Sequence, residues 1–347
     1  MMQPEDLSPR EAWESYVDQR QTETTDQSQA TYHYRLKLWV EWCEEQDIER
    51  VGDLSGWTLE QFRSHRSGEG IAATTLRGEM QTMKNFVEYL ERIEAVDEDL
   101  AEKVKVPNVP DGEESDDTRL ITDDAYRLIE YYRNDATDYG TRNHVILELV
   151  WHTGARLGAV RALDVRDYHS DDQYVEFVHR PDQGTPLKNK TNGERMVSLR
   201  HRVCDVLDAY IQNERRNKHD EHGRQPLLCS AQGRPSRNTV RVWMYHATLP
   251  CIYGPCPHGH DPVTCEFTDY NQASKCPSSR SPHQVRTGSI TWHRNRGVPK
   301  EVTRTRVNAS ERVIDQHYDK AEARDRMELR RRPHLEKLDF GDQENSE

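Results

Sequence analysis

The chain has 347 residues, 34% of them apolar, with 61 Asp and Glu against 48 Lys and Arg, a formal net charge of −13. The length suits two domains, and the apolar residues fall in periodic runs, which excludes a disordered chain. No stretch approaches the ~20 apolar residues of a membrane span. The opening MMQPEDLSPR lacks the charged and apolar regions of a secretion signal, so a cytoplasmic protein is expected. Taken whole, the acidity argues against a nucleic-acid partner, because phosphate binding needs Lys and Arg.

In chain order, Thr25–Gln46 carries Tyr32, Leu36, Trp39, Val40 and Cys43 at spacings of three and four, which predicts an amphipathic helix. A shorter helix is predicted from Thr58, as N-cap, to about His65. Ala73–Ile93 places Leu76, Met80, Met83, Phe86, Val87 and Leu90 on one face. Such stripes are read as core. Pro107–Asp117 (PNVPDGEESDD) combines two prolines, a glycine and a run of acids, and reads as a linker. Beyond it, Thr122 is expected to cap a helix to about Arg133, and Arg142–Leu163 predicts one or two more. Tyr174–His179 and Glu194–Leu199 read as strands, with turn chemistry at Asn192-Gly193. Arg200–Arg216 and Thr239–Thr248 read as helices, and Gly341–Glu347 as a frayed tail.

The charge is unevenly placed. Residues 1–118 hold 28 acidic and 12 basic side chains, a balance of −16, whereas residues 119–347 balance at +3. Within Lys275–Arg332 there are 15 basic and 7 acidic residues, or +8. Only 11 of the 48 basic residues are Lys. An acid-rich, Lys-poor composition fits a surface adapted to high intracellular salt, where hydration and self-repulsion keep the chain soluble.

Four pieces of the second half carry candidate chemistry. Thr153–Val160 (TGARLGAV) sets Arg156 just after a small-residue turn, and Lys188–Arg195 (KNKTNGER) is a basic hairpin leading into a strand. Ser281–Arg286 (SPHQVR) puts His283 and Arg286 three apart, on one face if helical. Val313–Tyr318 (VIDQHY) ends in a tyrosine on a segment that Ser310 can cap. Each piece alone is weak, since single arginines, H-x-x-R pairs and lone tyrosines usually serve surface or core. Breaking a DNA phosphodiester without metal needs an oxygen nucleophile, cations on the phosphorane and a proton for the leaving 5′-oxygen. Together the four pieces supply all three.

In this order the four pieces resemble the catalytic domain of the tyrosine recombinases, the phage-integrase type of site-specific recombinase, over about Arg119–Lys320. The match is closest to members from halophilic archaea. The resemblance implies a mainly α fold with a small β-sheet or hairpin. A helical, SAM-like core-binding domain (1–106) and the acidic linker (107–118) would precede a mixed α/β catalytic domain (119–332), with a tail at 333–347. The two domains would form a C-shaped clamp on double-stranded DNA. It also implies DNA recombination or integration through a 3′-phosphotyrosyl intermediate, by synapsed dimers or tetramers, with no cofactor for catalysis. Arg156 and Arg286 match the two arginines, Lys190 the hairpin lysine (with Lys188 as the nearby competitor), His283 the first histidine and Tyr318 the nucleophile. The second histidine, normally in a Leu-Gly-His stretch about nine residues before the tyrosine, is missing. Asn308 is taken to stand there, able to donate a hydrogen bond but not to carry a proton. The usual glutamate after the first arginine is replaced by Gly158 or Ala159. A topoisomerase of type IB chemistry and a catalytically silent DNA-binding regulator are the alternatives.

Four of the seven cysteines cluster in a segment, 251–276, that reads as an insertion before the second arginine. Cys251, Cys256, Cys265 and Cys276, with His258 and His260 as alternates, form a candidate structural zinc set. Cys43, Cys204 and Cys229 stand alone in apolar patterns and read as buried thiols.

Overall fold

A computed structural model describes residues 3–20, 26–110 and 117–338, and the chain divides into two compact units, Met1–Glu114 and Ser115–Glu347. Thr25, residues 111–116 of the expected linker and residues 339–347 of the expected tail lie outside the described residues. Mostly helical, with a small antiparallel sheet, the chain has the architecture its periodicities imply. No described helix is long and apolar enough to cross a membrane.

The first unit is built on α1 (Pro9–Arg20), α2 (Asp26–Glu45), α3 (Gly56–Gly68) and α4 (Ala73–Arg92). All six apolar positions of the α4 stripe are buried. They meet Leu36, Trp39, Val40 and Cys43 of α2 in one core. Trp39 and Tyr16 both pack edge-on against Phe86, at centroid distances of 5.1 and 5.3 Å, a geometry that aromatic quadrupoles favour. The start of α3 corrects the predicted cap. Ser55, not Thr58, is the N-cap: its hydroxyl accepts from the Thr58 amide while Thr58 Oγ1 accepts from the Ser55 amide, both at 3.3 Å. Helix α1 was not predicted, although its buried Pro9, Ala12, Trp13 and Tyr16 fall on one face at i, i+3, i+4 and i+7.

The second unit opens with α5 (Thr122–Asn134), α6 (Arg142–Thr153) and α7 (Leu157–Ala162). Ile121 is the N-cap of α5 and offers no side-chain bond, so Thr122 is its first residue rather than its cap. The 142–163 region is two helices because Gly154 takes φ +59° and ends α6 in left-handed backbone. Strands β1 (Tyr168–His169), β2 (Tyr174–Phe177) and β3 (Arg195–Ser198) form an antiparallel sheet in that order, with Phe177 opposite Arg195. Strand β1 is too short to show alternation and was not predicted. Helices α8 (His201–Ala209) and α9 (Arg237–Ala247) follow, then α10 (Pro282–Asn295), α11 (Lys300–Val307) and α12 (Glu311–Val313).

Helix α10 is seated deeply, which matters for the residues it carries. The Leu120 amide donates to the Gln284 carbonyl at 3.1 Å, and Ser289 Oγ donates to the Trp151 carbonyl at 2.5 Å. A Cβ on Gly288 would lie 2.0 Å from the Leu120 carbonyl oxygen, so only glycine allows this approach. Ser281 caps the helix through a reciprocal pair with Gln284, and Pro282 occupies its first turn.

Candidate active site

Four local structures converge on one cleft of about 340 Å³ in the second unit. It is lined by Arg156 and Gly158 after the α6–α7 break, Lys188 and Arg195 of the β2–β3 hairpin, His283 and Arg286 of α10, and Asn308 and Tyr318 beyond α11. Of the six residues expected to act on DNA, five are therefore together. Lys190 is the exception: it is exposed and begins a short 3-10 turn, Lys190–Gly193, whereas Lys188 two residues earlier lines the cleft.

Arg286 is 1% exposed, an extreme position for a cation. Its Nη1 donates to the carbonyls of Gly154 and, at 2.9 Å, of Val307. Its Nε and Nη2 are buried with no hydrogen-bond partner. A guanidinium with Nε and Nη2 both unpartnered has the donors to hold two oxygens of an anion in bidentate fashion. Burial pushes the guanidinium down to about 10, an effect that Tyr318 partly offsets and Arg156 deepens. Arg156, the N-cap of α7, donates from Nη1 to the Asn308 carbonyl at 2.5 Å.

Tyr318 closes a segment that begins at α12, where Ser310 accepts from the Val313 amide at 3.3 Å, and continues as a wider π turn, Ile314–Tyr318. Its ring is buried with Ile290, Val307, Ala309 and Ile314, and its carbonyl accepts from Thr291 Oγ1 at 2.9 Å. The Arg286 guanidinium lies 4.6 Å from the centre of that ring, and the His283 ring 5.4 Å. Burial alone would raise the phenol. Arg286, Arg156 and Lys188 together outweigh it and hold Tyr318 below the ordinary tyrosine value. For His283, desolvation in the cleft, with Arg286, Arg156, His317 and Lys188 around it, lowers the imidazole and favours its neutral form.

Arg195 and Arg237 were missed as site residues, and both line the cleft. Arg195 stacks on Phe177 at 4.2 Å, its partner across the sheet, and burial followed by Arg286, Arg156 and Arg306 lowers it to about 9. The strand alternation of β3 was the available signal, since it turns Arg195 and Val197 to one face. Arg237 begins α9, and its Nη2 lies 3.9 Å from where a Cβ on Gly158 would stand. It comes close to the position where the expected glutamate is absent.

The zinc expectation finds no support. Among the described residues no three His, Cys, Asp or Glu side chains converge as a metal would require. The 251–276 segment instead folds as short turns around an apolar nucleus of Leu249, Ala273 and Cys276, against which Cys251, Ile252 and Phe267 pack. His258 pairs with Ser278 Oγ at 3.0 Å and the His260 ring sits edge-on to Phe267. Burial, then Cys256, Cys276 and Cys265, raises the Cys251 thiol. Cys43, Cys204 and Cys229 are buried thiols.

No known family model matches the chain. It is 23% identical over 209 residues to the tyrosine recombinase XerD of Staphylococcus haemolyticus, covering 59% of this chain and 64% of that relative. The chain thus spans just under two thirds of the relative's length. The N-terminal domain of a phage integrase/site-specific recombinase from Haloarcula marismortui is 52% identical, covering 29% of this chain and 97% of its own, with a TM-score of 0.29. The Tn1549 transposon integrase in complex with a circular intermediate DNA shares the fold at a TM-score of 0.64 and 12% identity, over 96% of this chain and all of that one.

Proposed function

The chain belongs to the tyrosine recombinases, and on that premise we propose that it recombines double-stranded DNA at specific sites through a transient 3′-phosphotyrosyl bond. The observation that carries the reading is the buried Arg286 in the lining of the cleft, its Nε and Nη2 without a hydrogen-bond partner and the Tyr318 ring 4.6 Å away. In this reading the Tyr318 phenolate oxygen attacks the phosphorus. Arg286 and Arg156 hold the non-bridging oxygens as charge grows on the phosphorane. The bond to the 5′-oxygen breaks, that oxygen takes a proton from the hairpin lysine, and a free 5′-hydroxyl is left to reverse the step on the same or another strand. Neutral His283 assists proton movement at the phenol. No metal or ATP enters this balance.

Two lysines compete for the acid role. Lys190 follows from the family resemblance and Lys188 from its place in the cleft, so Lys188→Ala and Lys190→Ala make opposite predictions about which variant loses cleavage. Residues 1–106 are assigned to core binding and 119–332 to catalysis, with DNA and further copies of the chain as partners in the cytoplasm. The acid-rich, Lys-poor composition is assigned to high salt, so stability should rise with added KCl.

The test is a duplex nicked near the target so that the cleaved fragment diffuses away. Wild type should form a denaturant-stable protein–DNA adduct, whereas Tyr318→Phe should bind the duplex and form none. Adducts without exchange between two sites would make the protein a topoisomerase, and binding without adducts a silent regulator.

A further inference from the structure

The lysine-bearing turn is bonded across to the end of α11. Arg195 Nε donates to the Arg306 carbonyl at 2.8 Å, and its Nη1 to the Gly193 carbonyl at 2.9 Å. Asn308 uses both ends of its amide: Nδ2 donates to the Lys188 carbonyl at 3.3 Å, and Oδ1 accepts from Asn189 Nδ2 at 3.1 Å. The turn closes tightly here, since a Cβ on Gly193 would lie 2.7 Å from the Lys188 carbonyl oxygen and 2.9 Å from Asn308 Nδ2. Asn189 and Lys190 stand consecutively at φ +76° and +52°, backbone that side-chain-bearing residues adopt at a cost and only when something holds them.

Asn308 itself has φ +52° and ψ +61° and ends α11 in left-handed backbone. That is glycine's place at a helix terminus, and asparagine is the usual substitute. Asn308 therefore answers to the glycine of the Leu-Gly-His stretch. Ala309, nine residues before Tyr318, answers to the histidine, and its buried methyl has nothing to donate.

We propose that Asn308 is a positioning residue for the leaving-group acid: its amide clamps the 188–190 turn so that the hairpin lysine is delivered to the 5′-oxygen. It acts through the lysine rather than by gripping phosphate. The inference rests on the phosphotyrosyl reading above, and its test separates the two. Cleavage by the full chain is compared on ordinary DNA and on DNA with sulfur in place of the 5′-bridging oxygen, because a thiolate leaves without being protonated. Asn308→Ala should cleave ordinary DNA about 10–100-fold more slowly, at or below the lower end of what a general acid contributes, and should approach wild-type rate on the sulfur-bridged DNA. Asn189→Ala, at an exposed position that removes the other half of the clamp, should show the same pattern more weakly. Equal loss on both substrates, or no loss on either, overturns the clamp. Failure of wild type to form an adduct on either substrate overturns the phosphotyrosyl reading instead.

Discussion

The two units of the chain place their charge differently. In the first, acids dominate the surface while the interior is a stack of aromatic and aliphatic side chains, Trp39, Phe86, Tyr16 and Met83 among them. Its buried ion pair, Arg66 with Glu79 at 2.8 Å, is a closed account in which each charge has its counterpart. The second unit also has an apolar core, yet it buries ions within it. Glu148 is fully buried among Arg133, His144 and His152, and Asp164 and Asp220 lie among Arg180, Arg224 and Arg234. Arg286 is buried with no carboxylate at all. Buried charge costs desolvation, which partners in the chain return for the networks. Arg286 has only the Gly154 and Val307 carbonyls and the Tyr318 ring beside it, and in the proposed reading the phosphate of DNA supplies its counter-charge.

That contrast can be broken by substitution. The largest effect is expected at Phe86→Ala in the first unit, which should lower unfolding free energy by about 3–5 kcal/mol in denaturant titration. Arg286→Met should do the converse. Cleavage should fall by about 10²–10³-fold, the loss seen when one preorganised charge-stabilising group is removed. Thermal stability should change little, because removing a buried ion with two unpartnered donors is offset by the loss of its bonds to the Gly154 and Val307 carbonyls. A strongly destabilised Arg286→Met protein that still cleaves would show the arginine to be structural.

A smaller effect is expected from Arg156→Ala on the pH dependence of cleavage. Tyr318 lies below the ordinary phenol value because Arg286, Arg156 and Lys188 outweigh its burial. Removing Arg156 takes away a cation that favours phenolate, so the alkaline rise in rate should move to higher pH. A shift to lower pH, or none, would mean that Arg156 does not act on the nucleophile.

The same contrast explains how much was legible beforehand. The α4 stripe could be read residue by residue, because burial of a helix face repeats every three to four positions and the sequence repeats with it. Arg156, His283, Arg286 and Tyr318 were found only as a set, since what joins them is a cleft between α7, α10 and the turn after α12, not a spacing. Arg195 was passed over because it sits in a strand as one polar residue among others, and its role depends on the Arg306 carbonyl 111 residues away. The left-handed backbone of Asn308 was not legible beforehand, because it leaves no mark on composition. The cysteine cluster found no support as a metal site among the described residues. Clustering along the chain suggested ligands, but Cys276 packs with Leu249 and Ala273 as an apolar side chain.

The most direct test is to identify the amino acid that carries the DNA. Wild-type protein trapped on a nicked duplex, digested with nuclease and protease, should yield one nucleotide-linked peptide by tandem mass spectrometry, with the added mass on Tyr318. Mass on any other residue, or a competent recombination reaction with no linked peptide, would contradict the assignment.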